Sequence, residues 1–275
     1  MEETLSSALP GLTGESDNRG RWQTRAGAAR WELEPAGDGF WLVLSDFVPD
    51  DRSPPLVLKS ADRWPWPLKV VRDLPGGRLS WCGELRLTGS PDEVSRLARL
   101  VDLADVWLAG RPEHRPDEGA AVEGDTPDDF EPSVREALGR DLPRSGRGFR
   151  LAGGASPAIE IQPCDAGIQL RSVLATAPTE AISPPLLDSL LDLLAVANIR
   201  LRGLRAVWVR EGVDGRSARL ETRIDREDVS VPAIRAAVDL LADAGGRLAT
   251  PCQIVCEMPE VAEAYKSYLL GVQAA

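Results

Sequence analysis

The sequence predicts an α+β protein built from two divergent copies of one small domain. Three observations support this prediction. Short alternating strands are separated by helical patterns, the same series of motifs occurs twice in the same order, and an acidic, proline-rich segment divides the two series. A length of 275 residues suits two domains, and 43% apolar with 27% charged residues is typical of folded globular proteins.

The repeat is clearest in two hairpin patterns. Residues 31–42 read WELEPAGDGFWL and residues 159–170 read IEIQPCDAGIQL, a shift of 128 positions. Each is an alternating strand, a turn with proline and glycine, and a second strand. Three further matches follow in the same order: Ser53–Leu56 with Ser183–Leu186, Gly77–Arg78 with Gly215–Arg216, and Val101–Leu103 with Val238–Leu240. This shared order predicts a duplication.

The second copy begins with a short helix over Val134–Leu142, which Pro143 ends. Period-two alternation then predicts strands over Ala158–Gln162 and Gly167–Ala175. Ser183 can cap the next helix, whose first turn contains two prolines. Four leucines at helical spacing line one face of that helix: Leu187, Leu190, Leu191 and Leu194.

The remaining elements are a hairpin and a closing helix. Leu204–Arg210 and Ser217–Ile224 alternate around a glycine-containing turn, which predicts the hairpin. Val231–Leu241 is amphipathic, and Gly245-Gly246 predicts its end. A further short helix is predicted over Pro259–Leu270. The predicted order is therefore helix, strands, helix, hairpin, helix.

Residues 110–132 combine four prolines, three glycines and eight acidic residues, so they cannot bury enough apolar surface to fold. They carry six of the eleven excess negative charges of the chain, since only two bases offset the eight acids. We predict domains over 1–109 and 133–250, a disordered acidic linker over 110–132, and a C-terminal helical extension over 251–275.

Composition also bounds location and partners. No apolar run approaches the roughly 18 to 20 residues of a membrane helix, and residues 1–12 lack the bases of a secretory signal, so we expect a cytoplasmic protein without membrane insertion. A net charge of −11 argues against nucleic acid as a partner. The four scattered cysteines indicate reduced thiols, and the lone pair Cys252 and Cys256 offers too few ligands for structural zinc.

The end of the leucine-rich helix at Ala197-Asn198-Ile199, the hairpin over 204–224 and the Leu- and Ala-rich helix after it resemble the type III secretion chaperone superfamily, including its YbjN-like relatives. The resemblance implies domains of α-β-β-β-α-β-β-α order that are catalytically inert, typically dimeric, and bind partner polypeptides. A tandem pair would then be a covalent version of that dimer, a pseudo-dimer. The first copy departs at Trp64-Pro65-Trp66-Pro67, which allows only a short helix or a loop.

No residue cluster predicts catalysis or a cofactor. The only histidine, His114, lies in the predicted linker, which removes the base that a nucleophilic triad requires. The glycine-rich residues 146–154 lack the Lys-Ser/Thr ending of a phosphate-binding loop. Acidic pairs such as Asp188 with Asp192 are typical of solvated helix faces. We therefore expect no enzymatic activity and no bound cofactor.

Arginines and tryptophans are the candidate partner-binding residues. Arg219 and Arg223 fall on one side of a strand, where they form either a basic binding face or a solvated face that Glu221 partly neutralises. Seven of eight tryptophans lie in the first copy. Trp41 belongs to a strand with two apolar faces, which predicts cover on both. Core packing is the alternative for Trp31, Trp41 and Trp81, whereas the prolines around Trp64 and Trp66 favour an interface.

These patterns predict a non-enzymatic protein that holds a partner protein or peptide through tandem chaperone-like domains. The alternative is a structural subunit of a larger assembly, with the Trp-rich first domain as a permanent interface. The two differ in solution: a binder of this kind should be monomeric, and an assembly subunit should oligomerise through exposed apolar surface.

Overall fold

The computed structural model describes residues 21–36, 39–48, 54–59, 61, 66–72, 78–87, 93–109, 130–139, 141–154, 156–178, 183–211 and 215–258. Over these residues the fold is α+β with two antiparallel sheets. The chain forms two compact units. The first comprises residues 1–116 and 195–203, and the second comprises residues 117–194 and 204–275.

The first unit contains a five-stranded sheet in the order β1-β2-β3-β5-β4. Its strands are β1 (Arg21–Gln23), β2 (Ala28–Ala36), β3 (Gly39–Phe47), β4 (Leu68–Arg72) and β5 (Leu79–Leu87). A six-residue helix, α1 (Pro54–Lys59), lies between the two hairpins in the chain, and α2 (Glu93–Leu108) follows β5. The predicted strand pair within residues 31–42 is confirmed as the β2-β3 hairpin.

One face of the first sheet forms a core with α2. Leu42, Leu44 and Trp81 are buried on that face, as is Leu100 of α2. Gly83 of β5 makes this close packing possible, because a Cβ there would lie 2.5 Å from Cδ1 of Leu100. The alternation of β3 and β5 therefore leaves a second face that α2 does not cover.

The second unit contains a six-stranded sheet in the order β10-β11-β9-β8-β7-β6. Its strands are β6 (Arg144–Ser145), β7 (Gly148–Leu151), β8 (Ile159–Cys164), β9 (Gly167–Pro178), β10 (Arg205–Glu211) and β11 (Gly215–Asp225). Its helices are α3 (Phe130–Leu138), the first part of α4 (Pro184–Arg200) and α5 (Val231–Glu257). Both predicted strand pairs are present, each extended by a few residues.

The predicted start of the leucine-rich helix is confirmed. Helix α4 begins at Pro184, directly after Ser183, whose carbonyl accepts a hydrogen bond from Leu187 N at 3.0 Å. Proline is favoured there because the first N–H groups of a helix have no intrahelical partner. The four leucines at helical spacing, Leu187, Leu190, Leu191 and Leu194, are all buried.

Three helix boundaries differ from the predictions. Helix α3 ends at Leu138 and not at Leu142, because Gly139 has a left-handed φ of 106° that ends the helix. Helix α3 begins at Phe130, inside the segment predicted as linker, because Phe130 and Val134 are both buried, and Phe130 packs with its ring centroid 5.8 Å from that of Phe149. The predicted end of α5 at Gly245-Gly246 is wrong, since the helix continues to Glu257. The predicted helix over 259–270 lies outside the described residues.

Close packing explains why α5 continues through its glycines. A Cβ on Gly245 would lie 3.3 Å from Cδ of Pro157, just before β8, and 3.8 Å from Oγ of Ser172 in β9, so glycine lets α5 lie close to these residues. Cys252 and Val255 then extend the buried stripe beyond the glycines.

Candidate functional site

The face of the first sheet opposite α2 carries both apolar and charged side chains. Strand register places Glu34 opposite Trp41, Val43 opposite Glu84, and Lys69 opposite Cys82. Directly opposed residues share a face of the sheet, and i, i+2 neighbours continue it. The face therefore combines an apolar centre with the ionisable side chains of Glu34, Lys69 and Glu84, and the exposed Glu32 and Arg86 lie on it as well.

Residues 195–203 cover the centre of this face. Ile199, near the end of α4, packs against a buried cluster of Val43, Val71 and Cys82, and half-buried Trp41 packs against the same cluster. Burial raises the pKa of the Cys82 thiol to about 12, although nearby Lys69 opposes the shift. Cys82 is therefore a protonated, apolar packing residue at neutral pH.

Four side chains form an ion cluster at the same place. Lys69 Nζ lies 2.7 Å from Glu84 Oε1, and these side chains are only 1% and 4% exposed. Arg202 Nη1 lies 2.8 Å from Glu84 Oε1. Arg202 also binds Glu34 with two nitrogens, Nη2 to Oε1 at 2.5 Å and Nε to Oε2 at 2.7 Å. The cluster therefore contains two cations and two carboxylates.

The ion cluster shifts the pKa of its partly exposed members in the expected directions. Hydrogen bonds from Arg202 lower the pKa of Glu34 below its usual value, against a smaller opposing effect of burial. The same bonds raise the pKa of Arg202. Both groups therefore stay charged throughout the neutral range, as two-point Arg–carboxylate contacts require.

The sheet also contacts the backbone of residues 195–203. Lys69 Nζ donates a hydrogen bond to the carbonyl of Leu201, and Glu84 Oε2 accepts one from Gly203 N at 3.0 Å. In the other direction, buried Asn198 donates from Nδ2 to the carbonyl of Val70 at 2.9 Å. Polar groups from both partners are thus satisfied at a buried contact.

The end of α4 fits this site for local reasons. A helix leaves its last carbonyls without intrahelical partners, and cations are favoured at that end. Arg202 Nη1 donates to the carbonyl of Ile199 at 2.8 Å. Gly203 has a φ of 68°, a left-handed conformation that only glycine adopts readily, and it turns the chain away after the helix.

The second sheet has a comparable charged face. Arg205 and Glu221 lie directly opposite each other in β10 and β11, with a 3.0 Å ion pair between side chains 6% and 9% exposed. Arg171 pairs with Glu160 at 2.9 Å across β9 and β8. Glu221 and Glu160 thus form cross-strand pairs with Arg205 and Arg171.

Three of the five predicted site residues take part in these faces. Trp41 belongs to the first sheet's apolar cluster. Arg219 and Arg223 share one side of β11, where Arg219 Nε donates to Ser217 Oγ at 2.9 Å and Arg223 Nε to Asp225 Oδ1 at 3.0 Å. Burial lowers the pKa of Arg219, and the positive charge of Arg171 adds to this effect.

The other two predicted residues are the Trp-Pro tryptophans. Trp66 is half-buried in a turn before β4, and its bond to Pro67 is cis. Trp64 lies outside the described residues. Trp81 is completely buried, as the core interpretation predicts, whereas Trp31 is only half-buried. The predicted cover on both faces of β3 holds for Leu42, Val43 and Leu44.

Sequence reasoning missed the ion cluster itself. The available signal was a charged residue in the buried part of a strand, Lys69 in LKVVR and Glu84 in LSWCGELRL; the second charge of each strand, Arg72 or Arg86, lies nearer the strand end. A buried charge requires a partner of opposite charge, but the sequence of the strand does not identify that partner.

In the part of the chain that the structure describes, no group of three or more His, Cys, Asp or Glu side chains has the arrangement of a metal site. The same part contains no helix long and apolar enough to cross a membrane.

Comparison with known proteins adds no family to this picture. No protein-family model matches the chain. A search of curated proteins also finds no match. The geometry of the charged face is therefore the basis for the proposal that follows.

Proposed function

We propose that the chain is a non-enzymatic protein-binding module made of two copies of a type III secretion chaperone-like domain. The observation that carries the proposal is the contact between the first sheet and residues 195–203. This surface holds a polypeptide segment distant in sequence through an apolar centre, an ion cluster and hydrogen bonds to the backbone. Such a combination of anchors and backbone contacts is typical of peptide recognition.

The order of the strands supports two copies. In each sheet, a first hairpin (β2-β3 or β8-β9) joins a second hairpin (β4-β5 or β10-β11) through their second strands. A helix that begins with two prolines lies between the hairpins in the chain, and another helix follows them.

A pair of buried glutamates gives the duplication further support. Glu84 lies opposite Val43, and Glu221 lies opposite Arg171, the residue 128 positions after Val43. Glu84 and Glu221 thus occupy the same position in the two sheets. Each is buried and paired with a cation, Glu84 with Lys69 and Glu221 with Arg205. Shared placement of a costly buried charge is hard to reconcile with chance similarity.

The copies differ most in the helix between the hairpins. Helix α1 has six residues and α4 has seventeen, which corresponds to roughly 9 and 26 Å of helix. The shorter α1 can cover less surface than α4, and in the first unit residues 195–203 also pack on the sheet. In this proposal the binding surface of the first copy is the sheet face opposite α2, whose centre residues 195–203 cover.

Photo-crosslinking in the native cell tests this function. A photoreactive amino acid at Trp66 should crosslink to a distinct partner protein, since this half-buried residue lies in the turn that leads into β4, the strand that carries Lys69. The same amino acid at Arg247, whose side chain is 68% exposed on α5, is the matched control and should give no such product. Crosslinks absent at both positions would refute a protein-binding role at this surface.

Purification of the chain alone distinguishes this function from the alternative, a structural subunit of a larger assembly. A binding module purified alone should elute as a monomer, whereas an assembly subunit should elute as an oligomer. Co-purification of a stoichiometric nucleotide or metal would overturn both functions.

A further inference from the structure

We propose that the charged face of the first sheet is a receptor for the C-terminal end of a helix, and that residues 195–203 are a built-in ligand which a partner helix of the same chemistry replaces. This inference rests on the proposed protein-binding function and names the kind of partner.

Charge complementarity specifies the first requirement. The sheet contributes Glu34, Lys69 and Glu84, which together carry one net negative charge, and Arg202 neutralises it. Lys69 and Glu84 are almost completely buried. Without Arg202, Glu34 loses its two-point contact and Glu84 loses one of its two cations, so a replacement for residues 195–203 that restores these contacts must also bring a cation to this point.

Backbone contacts specify the second requirement. Lys69 donates to the carbonyl of Leu201, one residue beyond the last residue of α4, and Glu84 accepts from Gly203 N. Carbonyls without an intrahelical hydrogen-bond partner occur at the C-terminal end of a helix, not along its length. Leu201 and Gly203 directly follow that end in α4. The site therefore selects a helix terminus and not the side of a helix.

Side chains specify the third requirement. Asn198 reaches the carbonyl of Val70, the next residue, Ile199, enters the apolar cluster, and Arg202 follows four positions after the asparagine. The partner that fits is thus a helix whose last turn carries a carboxamide followed by an aliphatic residue, with an arginine two residues beyond the helix and four positions after the carboxamide. A glycine after the arginine permits the left-handed turn seen at Gly203.

Competition determines when the partner binds. A ligand within the same chain competes at an effective concentration on the order of mM, so a free helix must overcome it. The apparent affinity for the partner is the intrinsic affinity multiplied by the fraction of molecules whose site is open. Weakening the built-in ligand should therefore strengthen binding of an added one.

The test uses the full chain and a labelled peptide of residues 192–204, followed by fluorescence anisotropy. The Arg202→Glu chain should bind this peptide saturably and at least about tenfold more tightly than the wild-type chain does, because its own ligand is disabled. A peptide that itself carries Asn198→Ala or Arg202→Glu should bind this variant chain at least about tenfold more weakly. Equal binding by the two chains, or by matched and substituted peptides, overturns the proposal.

A measurement on the wild-type chain guards against misfolding of the variant. Hydrogen exchange of the backbone N–H groups of residues 198–203 should accelerate when excess peptide displaces them. Unchanged protection at saturating peptide would overturn the proposal without any substitution. If the wild-type chain dimerises and the peptide reverses the dimerisation, the occupant of the site is a second copy of the chain. This result would also overturn the proposal.

The two proposals can fail separately. Crosslinks at Trp66 without peptide binding would refute the helix-end receptor and leave the protein-binding function standing. Peptide binding without any partner crosslink in the cell would refute a cellular role at this surface and leave the receptor chemistry standing.

Discussion

Glu84→Gln should destabilise the first unit more than any other single loss of charge in the ion cluster. Glu84 accepts hydrogen bonds or ion pairs from Lys69, Arg202 and Gly203 N. A neutral amide removes the charge that compensates a fully buried ammonium group. Breaking a buried ion pair in this way costs about 3–5 kcal/mol. We therefore expect a loss of about 3 kcal/mol or more in the free energy of unfolding.

Urea unfolding followed by tryptophan fluorescence measures this loss, because seven of the eight tryptophans lie before residue 108. The matched control is Glu160→Gln in the second unit, followed through the fluorescence of Trp208; its pair with Arg171 is about one quarter exposed and should contribute only about 0–1 kcal/mol. Lys69→Met should cost about 1–3 kcal/mol, since Glu84 keeps Arg202 and Gly203. A Glu84→Gln loss no greater than that of Glu160→Gln would refute the reasoning.

Three further outcomes are expected from thermal melts. Burial raises the pKa of Asp46 to about 6, so the wild type loses stability as the pH rises from 4 to 7. Asp46→Asn should therefore stabilise the protein at pH 7 but not at pH 4. Equal effects of the substitution at the two pH values would contradict this. Gly83→Ala should lower stability by about 1–3 kcal/mol because its methyl group crowds Leu100. Leu100→Ala should therefore cost less in the Gly83→Ala background than in the wild type, and equal costs would show that the crowding is absent. Trp66→Ala should leave the melting temperature nearly unchanged, whereas Trp81→Ala should cost about 3–5 kcal/mol; a similar drop for both would place Trp66 in the core.

Most of the secondary structure could be predicted from the sequence because its signals are local. Alternation in residues 159–170 and 204–224 identifies strands through their period of two, and Pro184 marks a helix start through the unpaired N–H groups there. These signals depend only on near neighbours along the chain. Boundaries such as Phe130 and Glu257 were missed because distant packing decides them.

The ion cluster could not be predicted because its partners are far apart in sequence. Glu84 and Arg202 are separated by 118 positions, and Glu34 and Arg202 by 168. Arg202 has several arginine neighbours in sequence, and no local pattern distinguishes it from Arg200, which is exposed. Only the register of β4 and β5, with α4 ending at this face, identifies the arginine that pairs.

The discontinuity of the first unit has a consequence during protein synthesis. The ribosome completes residue 116 well before it completes residues 195–203, which belong to the same compact unit. At about 5–20 residues per second, synthesis of the 87 residues from 117 to 203 takes about 4–17 s. Throughout that interval the nascent sheet has Lys69 and Glu84 without Arg202, and this is when a chaperone or a protease should find it most accessible.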